Sequence, residues 1–324
     1  MLKVVKAQGQ GIVSDLGRWG HQHEGVPIGG VLDSFSFRLG NLALGNAANS
    51  ACLELMGQFD FVCTRPCRVL LANRGAQALL NNKQVWCGEV LVLREGDVLR
   101  TKPPCLGMWN ILCVQGGVDV SEVMGSRSTC LAAGFGGLQG RALQVGDELH
   151  FVRQWTASLR PGVRLAMPLA RCEPSAHLWL HFLPGPEFVE LSEDSQHLFA
   201  RQCFKLSTQS SKMGYRLEAS ESPLYLKQKM SLRSHAVHPG MVQLPPDGGL
   251  VVLLSDAQVT GGYPRLGCVL SCDLWKLSQL APGESLRWVV VDEQKAQRLL
   301  TKHELDDRRY QYAIESNKVI TDVD

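Results

Sequence analysis

The chain has no surplus of charge: 33 Lys and Arg stand against 31 Asp and Glu, a formal +2 over 324 residues, with no basic or acidic block. That excludes the electrostatic footprint of a nucleic-acid or polyanion binder and leaves a small or neutral partner. A long apolar run is also missing. No stretch approaches the roughly 18 residues of a membrane span, and the opening "MLKVVKAQGQGIVSD" has no signal-peptide core, so the expected location is the cytoplasm. The eleven cysteines include no CxxC. Their close pairs are CxxxC (Cys63 and Cys67; Cys268 and Cys272), which reads as reduced, mostly buried thiols. Neither HExxH nor a GxSxG elbow occurs, and His21/His23 and His177/His181 have no third ligand at useful spacing, so no metal site is expected. "GFGGLQGR" fails as a phosphate loop, because no Gly-Lys-Ser/Thr follows and Gln139 occupies the last glycine position of the pattern.

What is present is enough apolar content, 45%, to bury a proper core, distributed in short Val- and Leu-rich runs between turn signals: "RVLLANRGA", "EVLVLREGD", "WNILCVQGG", "LWLHFLPGP", "LVVLLSD", "LRWVVVDE". The fold class is mainly β. "REGDVLR", "QVGDELHF" and "APGESLRW" share a Gly-acid-x-Leu opening of a strand, a unit suited to barrels or sandwiches built from repeated pieces. Helices are few and short. "DSFSFRLGNLALGN" has Asp33 or Ser34 as cap and Gly45 as stop, "DLWKLSQLAPG" repeats the plan with Asp273 as cap, and a longer polar helix closes the chain. Arginine and proline enrichment over 153–176 marks a boundary near 160, giving domains 1–160 and 161–324.

The segment "DAQVTGGYPR" (256–265) leaves the apolar run "LVVLL" with an unusual density of polar groups. Its scheme occurs twice: an apolar strand into Ser-Asp (Asp15; Asp256), a glycine five residues on (Gly20; Gly261), then a second aspartate before a short leucine helix (Asp33; Asp273). Two related barrels whose equivalent polar loops meet in one cleft would explain the duplication. The plainer alternative is a tight turn that bonds its own backbone.

At these residues the chain resembles the carboxyltransferase-like family that includes the C subunits of 5-oxoprolinase, allophanate hydrolase subunit 2-like proteins and part of urea carboxylase. The matching stretches are "SDLGRWGHQHEGV", "GNAANSACLE", "GGVDVSEVMGSRST", "GGLQGRALQVGD", "LPGPE", "SSKMGYRL", "MVQLPPDGG" and "LSDAQVTGGYPR", in family order. The resemblance implies two cyclophilin-like β-barrels, ATP-dependent opening of 5-oxoproline to glutamate, and B-like and A-like partner subunits, with ATP on this chain or on a partner. Rival readings are a biotin-dependent carboxyltransferase component, against which the chain has no biotin attachment motif, and a non-catalytic antagonist of a kinase inhibitor. Four positions depart from the family pattern: Ser14 stands for Gln, Ser211 for Asn, Val259 for Thr, and Lys212 for Arg, the last exchanging a planar fork for a point charge.

The expected catalytic set is Asp256, Gln258, Thr260, Tyr263 and Asp15. In it Asp256 serves as base or orienter, and Gln258 and Thr260 bond an amide or carboxylate. The expected binding set is Arg18, Arg127, Lys212, Arg216 and Gln243, with Gly261 and Gly262 letting main-chain N–H groups approach a ligand. Asp15 and Arg18 are expected to pair at the cleft.

Overall fold

A computed structural model describes residues 1–152, 158–170, 177–228, 230 and 232–318. Residues 153–157 and 171–176, part of the stretch that suggested a boundary, lie outside the described residues. The chain forms two compact units. One holds Met1–Arg18, Gly29–Leu169 and the chain from Asp306 on; the other holds Trp19–Ile28 and Ala170–Leu305.

The first unit is a nine-stranded sheet curled into a half-barrel. Its strands are β1 (Leu2–Ser14), β2 (Cys52–Cys63), β3 (Cys67–Leu71), β4 (Gln77–Leu80), β5 (Lys83–Val85), β6 (Leu91–Leu93), β7 (Val98–Lys102), β8 (Asn110–Val114) and β9 (Glu148–Leu149), with helix α1 (Ser34–Ala43) between β1 and β2. The path runs β5-β4-β7-β2-β8-β3-β6, and β1 pairs with β2 and β9. Strand β2 serves two neighbours, pairing through Leu53–Leu55 with β8 and through Phe59–Val62 with β7. Between those halves Gly57 lies opposite Gly9, both at positive φ. A Cβ on either would fall within about 2.2 Å of a facing carbonyl oxygen, so the two strands can approach this closely there only as glycine. Inward alternation places Leu2, Val4, Leu53, Leu55, Phe59, Phe61, Val69 and Leu112 in one core.

The second unit is a closed barrel in the order β10-β17-β14-β15-β12-β11-β18. Its elements are β10 (Leu178–Pro184), α2 (Glu193–Arg201), β11 (Phe204–Leu206), β12 (Gly214–Ala219), β13 (His235–Ala236), β14 (Met241–Gln243), β15 (Leu250–Leu253), β16 (Thr260–Gly261), β17 (Arg265–Val269), α3 (Ser271–Leu277) and β18 (Ser285–Val290); α4 (Glu293–Glu315) follows, belonging to this unit up to Leu305 and to the first unit from Asp306. Strands β13 and β16 form a separate two-stranded ribbon. The aromatic centre of the barrel is Phe182, Phe199, Phe204 and Trp288, with Phe199 stacked on Trp288 at 5.5 Å between ring centroids.

The mainly β expectation holds, with four α-helices among the described residues. Asp33 caps α1 by accepting from the Ser36 N–H at 2.9 Å. Asp273 does not cap α3: Leu270 holds that position, and Asp273 sits in the first turn. Its Oδ2 accepts from the backbone N–H of His181 on β10 and lies 2.8 Å from the His181 ring, which commits it to the barrel wall instead of the helix end.

Candidate functional site

Asp15 follows directly on β1 and is almost fully buried, so its carboxylate must be satisfied internally. Oδ1 accepts from the Gly17 N–H (2.8 Å) and from the hydroxyls of Ser126 and Ser128 (both 2.6 Å); Oδ2 accepts from the Arg127 N–H (2.6 Å). The "GSRST" loop thus wraps one carboxylate. Arg18, buried beside it, donates to the carbonyls of Val123 (3.1 Å) and Ser128 (2.8 Å) and lies over the Phe135 ring. Gly136 makes room for it, since a Cβ there would be 2.2 Å from the Ser128 oxygen and 3.0 Å from the guanidinium. The half-exposed guanidinium of Arg127 donates to the Val120 carbonyl and pairs with Glu122 at 3.2 Å. Asp15, Arg18 and Arg127 are therefore brought together, and what they jointly hold is the 120–137 loop.

Nearby, Ser14 donates to the fully buried Glu54 at 2.9 Å, and Glu54 accepts from the Leu32 N–H at 3.0 Å. Sequence reasoning missed Glu54, Ser126 and Ser128. The available signal for Glu54 was an acid inside the apolar run "CLELM", where a solvated charge is out of place.

The loop after β15 belongs to the barrel unit. Asp256 is half-buried, and its N–H donates to the carbonyl of Lys212 at 3.0 Å. Lys212 is itself buried, with 6% of its surface exposed, in the turn before β12. Beyond Asp256 the chain turns outward, and Gln258, Thr260, Gly262 and Tyr263 are exposed. The Val237 N–H donates to the Val259 carbonyl, and β16 pairs with β13, so this polar tip has a defined backbone.

Gln243, on β14 opposite Arg265, is 1% exposed, and its Nε2 has no hydrogen-bond partner among the described residues. A Cβ on Gly261 would lie 2.8 Å from that nitrogen, so the carboxamide faces the glycine backbone of the loop directly. A buried donor left unmatched costs about 1–3 kcal/mol, and this one has a bond still to give on the side of the Gly261 backbone. Asp256 and Lys212 thus meet through the backbone, as Gln243 and Gly261 do through the carboxamide.

Arg216 is not part of that group. It sits on the outer face of β12 opposite Val251 and lines, with Ser207 and Asp247, a cavity of about 320 Å³ to which no residue of 256–263 contributes. Among the described residues no cluster of three His, Cys, Asp or Glu is arranged to hold a metal. His21 and His23 flank Glu24, at 3.3 and 3.4 Å from its Oε1.

Comparison with known proteins agrees with this architecture. Residues 24–290 match the family model described as carboxyltransferase domain, subdomain A and B. The chain is 37% identical over 315 residues to the Escherichia coli (strain K12) protein named as the C subunit of 5-oxoprolinase, covering 96% of each. It is 32% identical over 307 residues to the Haemophilus influenzae protein of the same name, covering 94% of this chain and 96% of that one. The crystal structure of K. lactis urea amidolyase superposes with a TM-score of 0.84 over 95% of this chain at 24% identity, a likeness of fold. This chain spans only 20% of that much longer protein.

Proposed function

Since the chain belongs to the carboxyltransferase domain family, among the relatives of the 5-oxoprolinase C subunits, we propose that it is the C subunit of an ATP-dependent 5-oxoprolinase that opens 5-oxo-L-proline to L-glutamate. The observation that carries this reading is the end-to-end match at 37% identity, which spans both β units and the 256–263 loop.

The chemistry sets what a site must do. A lactam resists hydrolysis until its amide oxygen becomes a leaving group, and phosphoryl transfer from ATP supplies that. Water can then add at the activated carbon, C–N cleavage of that adduct frees the amine and leaves an acyl phosphate, and a second water hydrolyses the acyl phosphate to the new carboxylate of glutamate and inorganic phosphate. The site must orient an anionic substrate and stabilise charge developing on oxygen. In our reading Asp256 is the base or orienter, held by the Lys212 carbonyl. Thr260, Gln258 and Tyr263 bond the substrate from the exposed tip, and the Gln243 Nε2 donates to a substrate oxygen at the Gly261–Gly262 backbone. Lys212 contributes positive charge as a point source, not a two-pronged grip.

We assign ATP to a B-like or A-like partner chain of a cytoplasmic complex. Supporting this, the glycine-rich segment 134–141 uses its main-chain donors internally: Gly137 N–H to the Arg127 carbonyl, Gly140 N–H to the Gly136 carbonyl. The test is reconstitution with candidate A and B subunits, following ATP-dependent glutamate release. Asp256→Asn should lower turnover by about 10²-fold or more with the complex intact. Unchanged turnover would reduce this chain to a scaffold.

A further inference from the structure

On the outer surface of the closed barrel three neighbouring strands build a different cluster. Strand β18 lies between β11 and β10, with Phe204 opposite Leu286 and Trp179 opposite Arg287. Leu178, Leu180, Phe204, Leu286 and Trp288 point into the core. Alternation therefore turns Cys203, Arg287 and Trp179 outward in one row. The Arg287 Nε–H donates to the Cys203 sulfur at 3.0 Å, and the Nε2 of exposed His177 is 3.4 Å from the same sulfur. The guanidinium lies over the Trp179 ring, 5.7 Å from its centroid.

An arginine N–H can only donate, so the sulfur is the acceptor in that bond, and its own proton is left to face the imidazole. A nucleophile with a base in reach and a cation fixed beside it is the arrangement that activates a side chain for attack. The partial exposure of Cys203 admits a small reagent.

We propose that Cys203 is a reversible modification site that forms a mixed disulfide with low-molecular-weight disulfides of the glutathione disulfide class. As the sulfur attacks, its proton passes to His177. One reagent sulfur bonds to Cys203, the reagent S–S bond breaks, and the departing thiolate takes the proton from His177. The reagent is the oxidant, reduced by half to one free thiol, and excess thiol reverses the step.

Other cysteines with defined surroundings rank lower for stated reasons. Burial pushes the thiols of Cys113 and Cys268 up, and that of Cys272 up to about 11. The Cys67 thiol, hydrogen-bonded to Cys63, lowers Cys63, but Cys63 is 1% exposed and out of reach of a reagent. Among the described residues Cys105 is the exposed cysteine, so accessibility alone would make it react ahead of Cys203.

That contrast gives the test. The intact chain is exposed to substoichiometric glutathione disulfide, and the adducts are assigned and timed by peptide mass spectrometry. Cys203 should be modified ahead of Cys105, and Arg287→Gln and His177→Gln should each slow Cys203 by about tenfold while leaving the Cys105 rate unchanged. Faster modification of Cys105, or an unaltered Cys203 rate in both variants, would overturn the proposal. Should a variant fail to fold, the ranking in the unaltered chain still decides.

Discussion

At Asp15 an ionised side chain lies where water cannot reach it, a placement that costs several kcal/mol unless every lone pair is used. Four short donors, two hydroxyls and two main-chain N–H groups, offset that cost and close the 120–137 loop over the end of β1. Asp15→Ala leaves all four facing nothing, and chemical denaturation should register a loss of about 3–5 kcal/mol. A variant that keeps its stability but loses turnover would move Asp15 from loop organiser to the chemistry. The sequence singled out Asp15 through its repeated Ser-Asp scheme, Arg18 as its expected partner, and Arg127 as a cation for a ligand. It could not reveal that Ser126 and Ser128 would be the ligands of that carboxylate, because serines in a turn are ordinary until a buried acid is brought to them.

Among the elements, the Gly-acid-x-Leu units prove to be one device used three times. Asp97, Asp147 and Glu284 each accept, through the side chain, the N–H of the residue three positions earlier, while their own N–H returns to that residue's carbonyl. The preceding Gly96, Gly146 and Gly283 have φ between 86 and 97°, as the third position of a type II turn requires. Each turn also clasps a neighbouring strand residue (Cys63, Val4, Leu206), giving its acid's carbonyl to that residue's N–H and its glycine N–H to that residue's carbonyl. This much was legible, since a two-residue turn signal and the alternation after it are local.

One of these turns carries a pH prediction. Arg141 grips Asp147 with two hydrogen bonds of 2.8 Å, and that contact holds the Asp147 carboxyl below its ordinary value, with desolvation opposing. A depressed folded value means stability that is present above the unfolded carboxylate pKa of about 3.9 and lost as pH falls through the folded one. Urea denaturation should therefore find Arg141→Gln less stable at pH 7 by at most ~1 kcal/mol, given the partial exposure of the pair, with the gap closing in strong acid. A gap that persists at low pH would assign the effect to packing of the arginine stem.

For the whole molecule, the two units differ in what they leave unpaired. The barrel closes through β10 and β18 and has no edge, whereas the curled sheet ends at β5 and β6. Hydrogen exchange should accordingly reach β5 (Lys83–Val85), with its exposed residues, well before the interior of β10, β12 or β18. Equal protection would contradict the open path. The sequence foretold two β-barrel units; that the first is a half-barrel, and that Gly9 and Gly57 face each other across its longest strand pair, does not read from two glycines far apart in the chain.

By itself the sequence determined the β class, the turn units, the family, and which polar residues were too densely placed to be idle. These follow from neighbours a few positions apart, where alternation and turn geometry act. Only the tertiary structure decided what those residues touch. Asp15 meets Ser128 across 113 positions, and Gln243 faces Gly261 through the pairing of β14 and β17. A buried polar group takes its partners from whatever the sheet order carries to it, and that order is fixed by packing of the entire core.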